Sequence, residues 1–300
     1  MRVLVSGGAG FLGSHLVDQL ISRGDEVVVF DDLSRGHREQ VPNGVILVEG
    51  DVRDSSKWTE ICAQFSPELI HHLAAVNGTR RFHREADIVA DVNVNGTRNA
   101  IEAAKATGAR LVFYSSPESF GEQSVMPLAN DSNSVFTPAH EHQRHSYGAS
   151  KYLGELLIHH AIRDFGLDAR ILRPFNAYGP RLHGDADGQV VSMMLLANPI
   201  EVHGDGLQTR SMTWVGDVVE GMLRVGDLPD LCGMSFNLAS EEEVSMLNLA
   251  SMISEITGAK IVHTGENHGD SRRRVADLSG NDKIGWKAST SLVEGLAQLR

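Results

Sequence analysis

The 300-residue chain is poor in cysteine, in long apolar runs and in positive charge, and each shortage closes a class of function. Its two cysteines, Cys62 and Cys232, have no Cys-x-x-Cys partner, which excludes a zinc knuckle, a redox pair and a disulfide scaffold and suits a reducing compartment. Both read as buried apolar filler. No window approaches 18 uninterrupted apolar residues, so no membrane-spanning helix is expected. The opening Met-Arg-Val-Leu-Val runs straight into Gly7-Gly8-Ala9-Gly10, which breaks the apolar core that a secretory signal needs. A cytoplasmic protein is the expectation. With 27 Lys and Arg against 39 Asp and Glu, the net charge of −12 disfavours nucleic acid and anionic membrane as partners, while leaving room for a local basic pocket. Internal repeats and low-complexity tracts are missing too, and at about 150 residues per domain the length allows one large or two modest domains.

What the chain contains is an alternation of short apolar runs and helical patterns, the sequence form of a parallel α/β sheet. Runs at 3–5, 27–30, 45–48, 69–73, 111–114 and 169–172 read as six strands. Leu12, Leu16 and Leu20 follow the first at helical spacing and stop at Gly24; 86–106 reads as a helix closed by Gly108, and 146–165 as one ended by Gly166. After about residue 175 the rhythm loosens into short elements. There Ser245 is expected to cap one helix, and Ser291 with Glu294 to form a capping box for the last.

Gly7, Gly10 and Gly13 form G-x-x-G-x-x-G between the first strand and its helix. Such a turn brings the backbone close to a pyrophosphate and leaves the phosphates on the helix N-terminus. Gly-rich turns are common, so the neighbours decide. Asp31 ends the second strand at the offset where a carboxylate accepts from an adenosine ribose, and there it repels a 2′-phosphate. Asp32 adds to the bias toward NAD, with Arg35 the one residue that softens it, and Asp51 after the third strand is offered to the adenine edge. A Rossmann-type doubly wound sheet over 1–174, with a smaller C-terminal α/β substrate lobe over 175–300 partly interleaved with it, is the predicted fold.

Tyr147 and Lys151 stand at i and i+4 and so share one helix face. A phenol of pKa about 10 is a poor base at neutral pH; an adjacent cation and a positive nicotinamide ring favour the phenolate and are expected to lower it. Lys151 is also suited to hold the nicotinamide ribose. A hydroxyl at the end of a neighbouring strand should complete the set, and Ser115-Ser116 follow the fifth strand.

These residues stand among further landmarks: Gly50-Asp51-Val52-Arg53-Asp54, His72-Leu73-Ala74-Ala75, Asn93-Val94-Asn95-Gly96-Thr97, Arg173-Pro174-Phe175-Asn176, Gly204-Asp205-Gly206 with Arg210, and Arg274-Val275-Ala276-Asp277. In order and number they resemble the nucleotide-sugar epimerase and dehydratase family of extended short-chain dehydrogenases/reductases, over nearly the whole chain. The resemblance implies NAD held by Gly7, Gly10, Phe11, Leu12, Gly13, Asp31, Asp32, Asp51, Val52, Leu73, Ala74, Ala75, Asn93, Tyr147 and Lys151. It gives Tyr147 the proton of the sugar O4, Ser116 a hydrogen bond to the same oxygen, and a nucleotide-diphosphate sugar, most simply a UDP-sugar, as substrate. Arg210 and Arg274 match the diphosphate-binding arginines and Asn176 an amide near them, while Arg80 and Arg81 read as the pocket mouth. A homodimer through a helix bundle is implied as well.

Two departures stand out. Ser119-Phe120 replaces the family's usual Val-Tyr, and the approach from Pro138 to Tyr147 is about twice the common length, enough for this loop to touch substrate. Glu118 sits where dehydratases and uronate decarboxylases of the family carry a base for C5; a brace of the turn is the plainer role. Pro117 replaces the acid of the dTDP-glucose type and cannot donate a proton. Arg272 and Arg273 read as solvated charge. His140, His142 and His145 lack the spacing of a closed metal site, so no metal is expected; His71-His72 reads as a strand end and His159-His160 as a helix face. The expected activity is transient C4 oxidation with 4-epimerisation. C5 dehydration or decarboxylation through Glu118, and a catalytically silent NAD-binding regulator, are its rivals.

Overall fold

Strands that bury both faces need helices above and below, and this chain supplies them from its own alternation. In the computed structural model, which describes residues 1–141, 145–184, 188–265 and 271–299, seven parallel strands form one sheet. They are β1 (Arg2–Ser6), β2 (Glu26–Asp31), β3 (Ile46–Glu49), β4 (Leu69–His72), β5 (Arg110–Tyr114), β6 (Ala169–Pro174) and the strand Ser235–Leu238. Their order runs from Ser235–Leu238 through β6, β5, β4 and β1 to β2 and β3. The chain therefore reverses direction between β1 and β4, which opens a crevice above their C-terminal ends.

The six strand runs and both long helices expected from sequence are present, the helices as α4 (Ala86–Thr107) and α5 (His145–Phe165). Period-two burial sorts the strands onto two cores. Val3 and Val5 pack with Leu16, Val17 and Leu20 of α1 (Phe11–Ser22) and with Val218 and Met222 of the helix Val215–Asp227. Leu4 faces the other way, against Trp58 and Ile61 of α2 (Ser55–Phe65), Ala100 of α4 and Ile158 of α5. Burying each such Leu or Ile contributes about 1.5–3 kcal/mol before entropy.

The seventh strand comes from beyond residue 175, pairing Ser235 with Ile171 and Leu238 with Pro174. A third cluster, with Tyr178, Ile200, Val202, Leu249 and Ile253, is the core of the smaller C-terminal part. Ser245 accepts from Asn248 N, and the capping box of Ser291 and Glu294 forms as expected. Cys62 is buried, but Cys232 is exposed, a correction to its reading as filler: it follows Leu231 at the surface end of the loop into the seventh strand. Among the described residues no helix is long and apolar enough to cross a membrane.

Candidate active site

The glycine turn is made by close approach. Gly7 has φ +76°, and a Cβ there would lie 2.7 Å from Ala74 N; one on Gly13 would lie 2.0 Å from Gly7 O. Gly10 caps α1 without a side chain, and no acid stands in the first turn, so its N–H groups and positive end are left for an anion. Phe11 and Leu12 open that turn half-buried against the first core. Asp31 lies at the rim, each oxygen accepting one backbone bond, from Ala9 N at 3.0 Å and Leu33 N at 2.9 Å. A second lone pair per oxygen remains for ribose hydroxyls. Burial lifts Asp31 above the usual carboxylate range although both bonds pull the other way. Asp32 is exposed and accepts from Ser34 N at 2.9 Å. The bare turn, the open helix end and the acid at the end of β2 together fit NAD.

The outer cofactor residues are placed less simply. Asp51 is held by Arg53, Nη2 to Oδ2 at 2.6 Å, which keeps its carboxyl below the usual range. Val52 is buried, its carbonyl taking bonds from Trp58 Nε1 and Asn99 Nδ2, both at 2.9 Å. Leu73 N and Ala74 N both donate to Ser6 O at 3.0 Å, which lays the chain after β4, with Ala75, across the end of β1. Asn93 spends its amide inside the protein, accepting from Val76 N at 2.7 Å and donating to Ser150 Oγ at 3.0 Å. It ties that segment to α5.

Along α5, Tyr147, Lys151 and Glu155 recur every four residues on one buried face. The Ser116 side chain lies near enough to the Tyr147 phenol to lower its pKa, while its Oγ accepts from Glu118 N at 3.2 Å, and Lys151 Nζ donates to Tyr114 O at 2.8 Å. Extended backbone at the end of β5 sends neighbouring side chains opposite ways, so Ser115 turns to Glu155 Oε1, at 2.5 Å, and only Ser116 meets the phenol. Burial pushes the Lys151 ammonium down to about 7, opposed by Glu155. Burial also pushes the Tyr147 phenol up; the nearby Ser116 side chain lowers it and the Glu118 charge raises it further. In the protein alone Lys151 is not among the groups that lower the phenol. Lys151 Nζ stands 5.8 Å from the centre of the Tyr147 ring and donates to the Tyr114 carbonyl.

Glu118, two residues past Ser116, forms an ion pair with Arg274, Nη1 to Oε1 at 2.6 Å. Arg274 Nη2 also donates to Gly121 O at 3.1 Å and Ser271 Oγ at 2.8 Å. A buried guanidinium needs such a counter-charge, so Arg274 stands at the serine turn, paired with Glu118. Arg210 is its register partner on the neighbouring strand and is nearly as buried. Asn176, at φ 37°, donates to Ser211 O at 3.0 Å beside it. Arg272 and Arg273 pair outward with Asp205 and Glu243. Arg80 is exposed on α3 (Thr79–Arg84), and Arg81 pairs with Glu85 at 2.7 Å. His140 is exposed, His145 hydrogen-bonds Thr137 at 3.0 Å, and His142 lies outside the described residues.

Two partners of the site escaped the sequence reading. Glu155, clamped by Arg173 Nε at 2.8 Å, was within reach of the i, i+4, i+8 spacing. Phe82, stacked on Tyr147, carried no signal.

The chain matches the model of the NAD dependent epimerase/dehydratase family over residues 3–239. It is 34% identical to UDP-glucuronic acid decarboxylase 1 of Arabidopsis thaliana, over 100% of this chain and 69% of that protein. It is 33% identical to UDP-glucose 4-epimerase of Mycolicibacterium smegmatis, over 99% and 97%. Among solved structures, UDP-glucose 4-epimerase of Thermotoga maritima with UDP-glucose is similar at a TM-score of 0.92 and 30% identity, covering 99% of this chain and 97% of that one.

Proposed function

The chain belongs to the NAD-dependent epimerase/dehydratase family and is an NAD-dependent enzyme, and from that premise we propose that it oxidises C4 of a nucleotide-diphosphate hexose transiently and returns the hydride to the other face. The product is the 4-epimer, with a UDP-sugar as the substrate. The observation that carries this reading is the meeting of Tyr147, Ser116 and Lys151 beside the crevice and the open end of α1. Bound NAD supplies the hydride acceptor and a positive ring that favours the phenolate. Tyr147 takes the O4 proton, Ser116 holds the same oxygen, and Lys151 orients the nicotinamide ribose. Asp31 receives the adenosine ribose, and its charge selects against a 2′-phosphate. Arg210 and Asn176 serve the substrate diphosphate. The chain divides functionally into a cofactor unit, 1–174, and a substrate unit, 175–300, with Ser235–Leu238 crossing between them.

The Glu118–Arg274 pair favours a second reading, chemistry at C5. A 4-keto group acidifies the C5 hydrogen, and the Glu118 carboxylate, set beside Ser116 by its pairing with Arg274, is a candidate base for it. Dehydration or loss of a uronate carboxyl would start from the same oxidised sugar. The decarboxylase and epimerase relatives are equally similar, so identity does not choose.

Product NMR does, with UDP-glucose, UDP-N-acetylglucosamine and UDP-glucuronate in deuterated water. Inversion at C4 without deuterium at C5, unaffected by Glu118→Gln, supports epimerisation; C5 deuterium, a lost hydroxyl or released carbon dioxide, abolished by Glu118→Gln, supports the second reading. Tyr147→Phe should lower kcat by about 10²–10⁴ in either case. Unchanged turnover would sink both. Exposed Ile88 on α4 and Leu153 and Leu156 on α5 support a homodimer through these helices, and an exposed free thiol at Cys232 supports a cytoplasmic home.

A further inference from the structure

Tyr147 is covered by a side chain that neither the glycine turn nor the α5 spacing requires. The Phe82 ring lies on the Tyr147 ring with centroids 4.7 Å apart and planes within 13°. With Val76 and Val89 the two form a small cluster of their own, separate from both sheet cores.

Several contacts hold Phe82 in this place. Gly78, at φ +135°, turns the chain into α3, and Phe82 N donates back to Gly78 O at 3.1 Å. Ser146 Oγ, next to Tyr147 on α5, donates to Phe82 O at 3.1 Å. Val76 is fastened to Asn93, whose amide also binds Ser150 on α5. The covering helix is thus tied to the helix that carries the phenol, so the stack does not depend on ring packing alone. A parallel stack fixes the plane of a ring without touching its hydroxyl. A phenol free on one face would sample rotamers and water there, and a misplacement of about 1 Å can cost on the order of a hundredfold in rate.

We propose that Phe82 is a positioning residue for proton transfer: its ring fixes the plane of the Tyr147 phenol so that the hydroxyl stays directed toward the Ser116 side, and it keeps water from that face. The proposal rests on the reading of Tyr147 as the group that exchanges a proton with the sugar oxygen. Desolvation, the largest influence on Tyr147, is consistent with such a cover.

The test is ultraviolet tyrosinate titration of the NAD-loaded protein, needing no substrate. Subtracting Tyr147→Phe from wild type isolates the Tyr147 wave, and subtracting the Phe82→Leu/Tyr147→Phe double variant from Phe82→Leu isolates it without the stack. The wave should move to lower pH by about one unit, because water then reaches the phenolate. Where wild type turns over UDP-glucose or UDP-glucuronate, kcat should fall about tenfold to a hundredfold with little change in KM, and the acidic limb of the rate profile should move the same way. Phe82→Tyr, which keeps a stacked ring, should restore both. An unmoved wave overturns the proposal, as does a loss of kcat with the wave in place, which marks a merely structural residue. If Phe82→Leu loses its NAD, Phe82→Met is read in its stead. Full turnover in Tyr147→Phe would remove the functional reading while the shifted wave still showed the clamp.

Discussion

The two sides of the crevice are built by different means. On the side proposed for the cofactor the decisive contacts are backbone ones around one glycine turn: Gly7 against Ala74, Gly13 against Gly7, Asp31 on Ala9 N. On the side proposed for substrate three short strands, Thr209–Ser211, Glu243–Ser245 and Arg273–Arg274, come from distant parts of the chain, pair into a small sheet and present side chains such as the Arg273–Glu243 ion pair. A diphosphate on a helix end asks for a shape of the chain, which a few glycines dictate locally. A sugar is read by side chains whose neighbours arrive from far away. The first side should therefore fail all at once, and the second residue by residue.

Gly13→Val is the largest break available. The added Cβ would meet Gly7 O at 2.0 Å, and neither backbone can move without pulling β1 from the sheet or α1 from the core. The purified variant should carry no NAD, measured by mass spectrometry of nucleotides released on denaturation. Stoichiometric NAD in it would overturn the assignment of the turn and erase the contrast between the two sides.

Next in size is the seam. Glu155 accepts from Ser115, Ser119 and Arg173, and its charge supports the Lys151 ammonium. Glu155→Gln leaves Arg173 buried without its counter-charge, and about 3–5 kcal/mol of stability should be lost in urea unfolding. The pH dependence gives a sharper sign. Lys151 is held below its ordinary 10.5, at about 7, so between those values the unfolded chain binds more protons and stability from this group rises with pH. Without Glu155 the folded value falls further, and the rise should begin below pH 7. A variant whose stability gains no more than wild type between pH 6 and 7 would mean that the carboxylate does not support the ammonium.

How much of this could be read from sequence follows the same division. Six strands were legible because each is an apolar run closed by a turn signal, whereas Ser235–Leu238 hides a fully buried Asn237 whose amide donates to Leu128 O at 2.9 Å. That partner is more than a hundred residues away, and no periodicity announces it. Gly7, Gly13, Asp31, Tyr147 and Lys151 were legible by spacing within one or two elements. The resemblance chose Ser116 over Ser115, but why Ser115 turns away waited on Glu155, and the place of Arg274 waited on Glu118, because each depends on which side chain another element brings. Phe82 was invisible for a related reason: the short helix α3 is shaped by Gly78 and by the surface it covers, and one aromatic residue in a basic stretch has no pattern.

The smallest effect is expected within the run Arg272-Arg273-Arg274, where adjacent residues of one type meet different physics. Arg272 makes two bonds to Asp205, at 2.9 and 2.8 Å, with both side chains largely in water. Screening and the entropy of holding two long side chains offset most of that attraction. Arg272→Ala should leave the thermal midpoint unchanged within about one degree and kcat and KM unchanged within about twofold. Its neighbour Arg274 pairs in a buried site with Glu118, where removing a partner strands a charge. A tenfold rise in KM for Arg272→Ala would mean that the outer arginine also touches substrate. The substrate side would then act as a continuous basic surface, and the residue-by-residue logic that separates it from the glycine turn would fail.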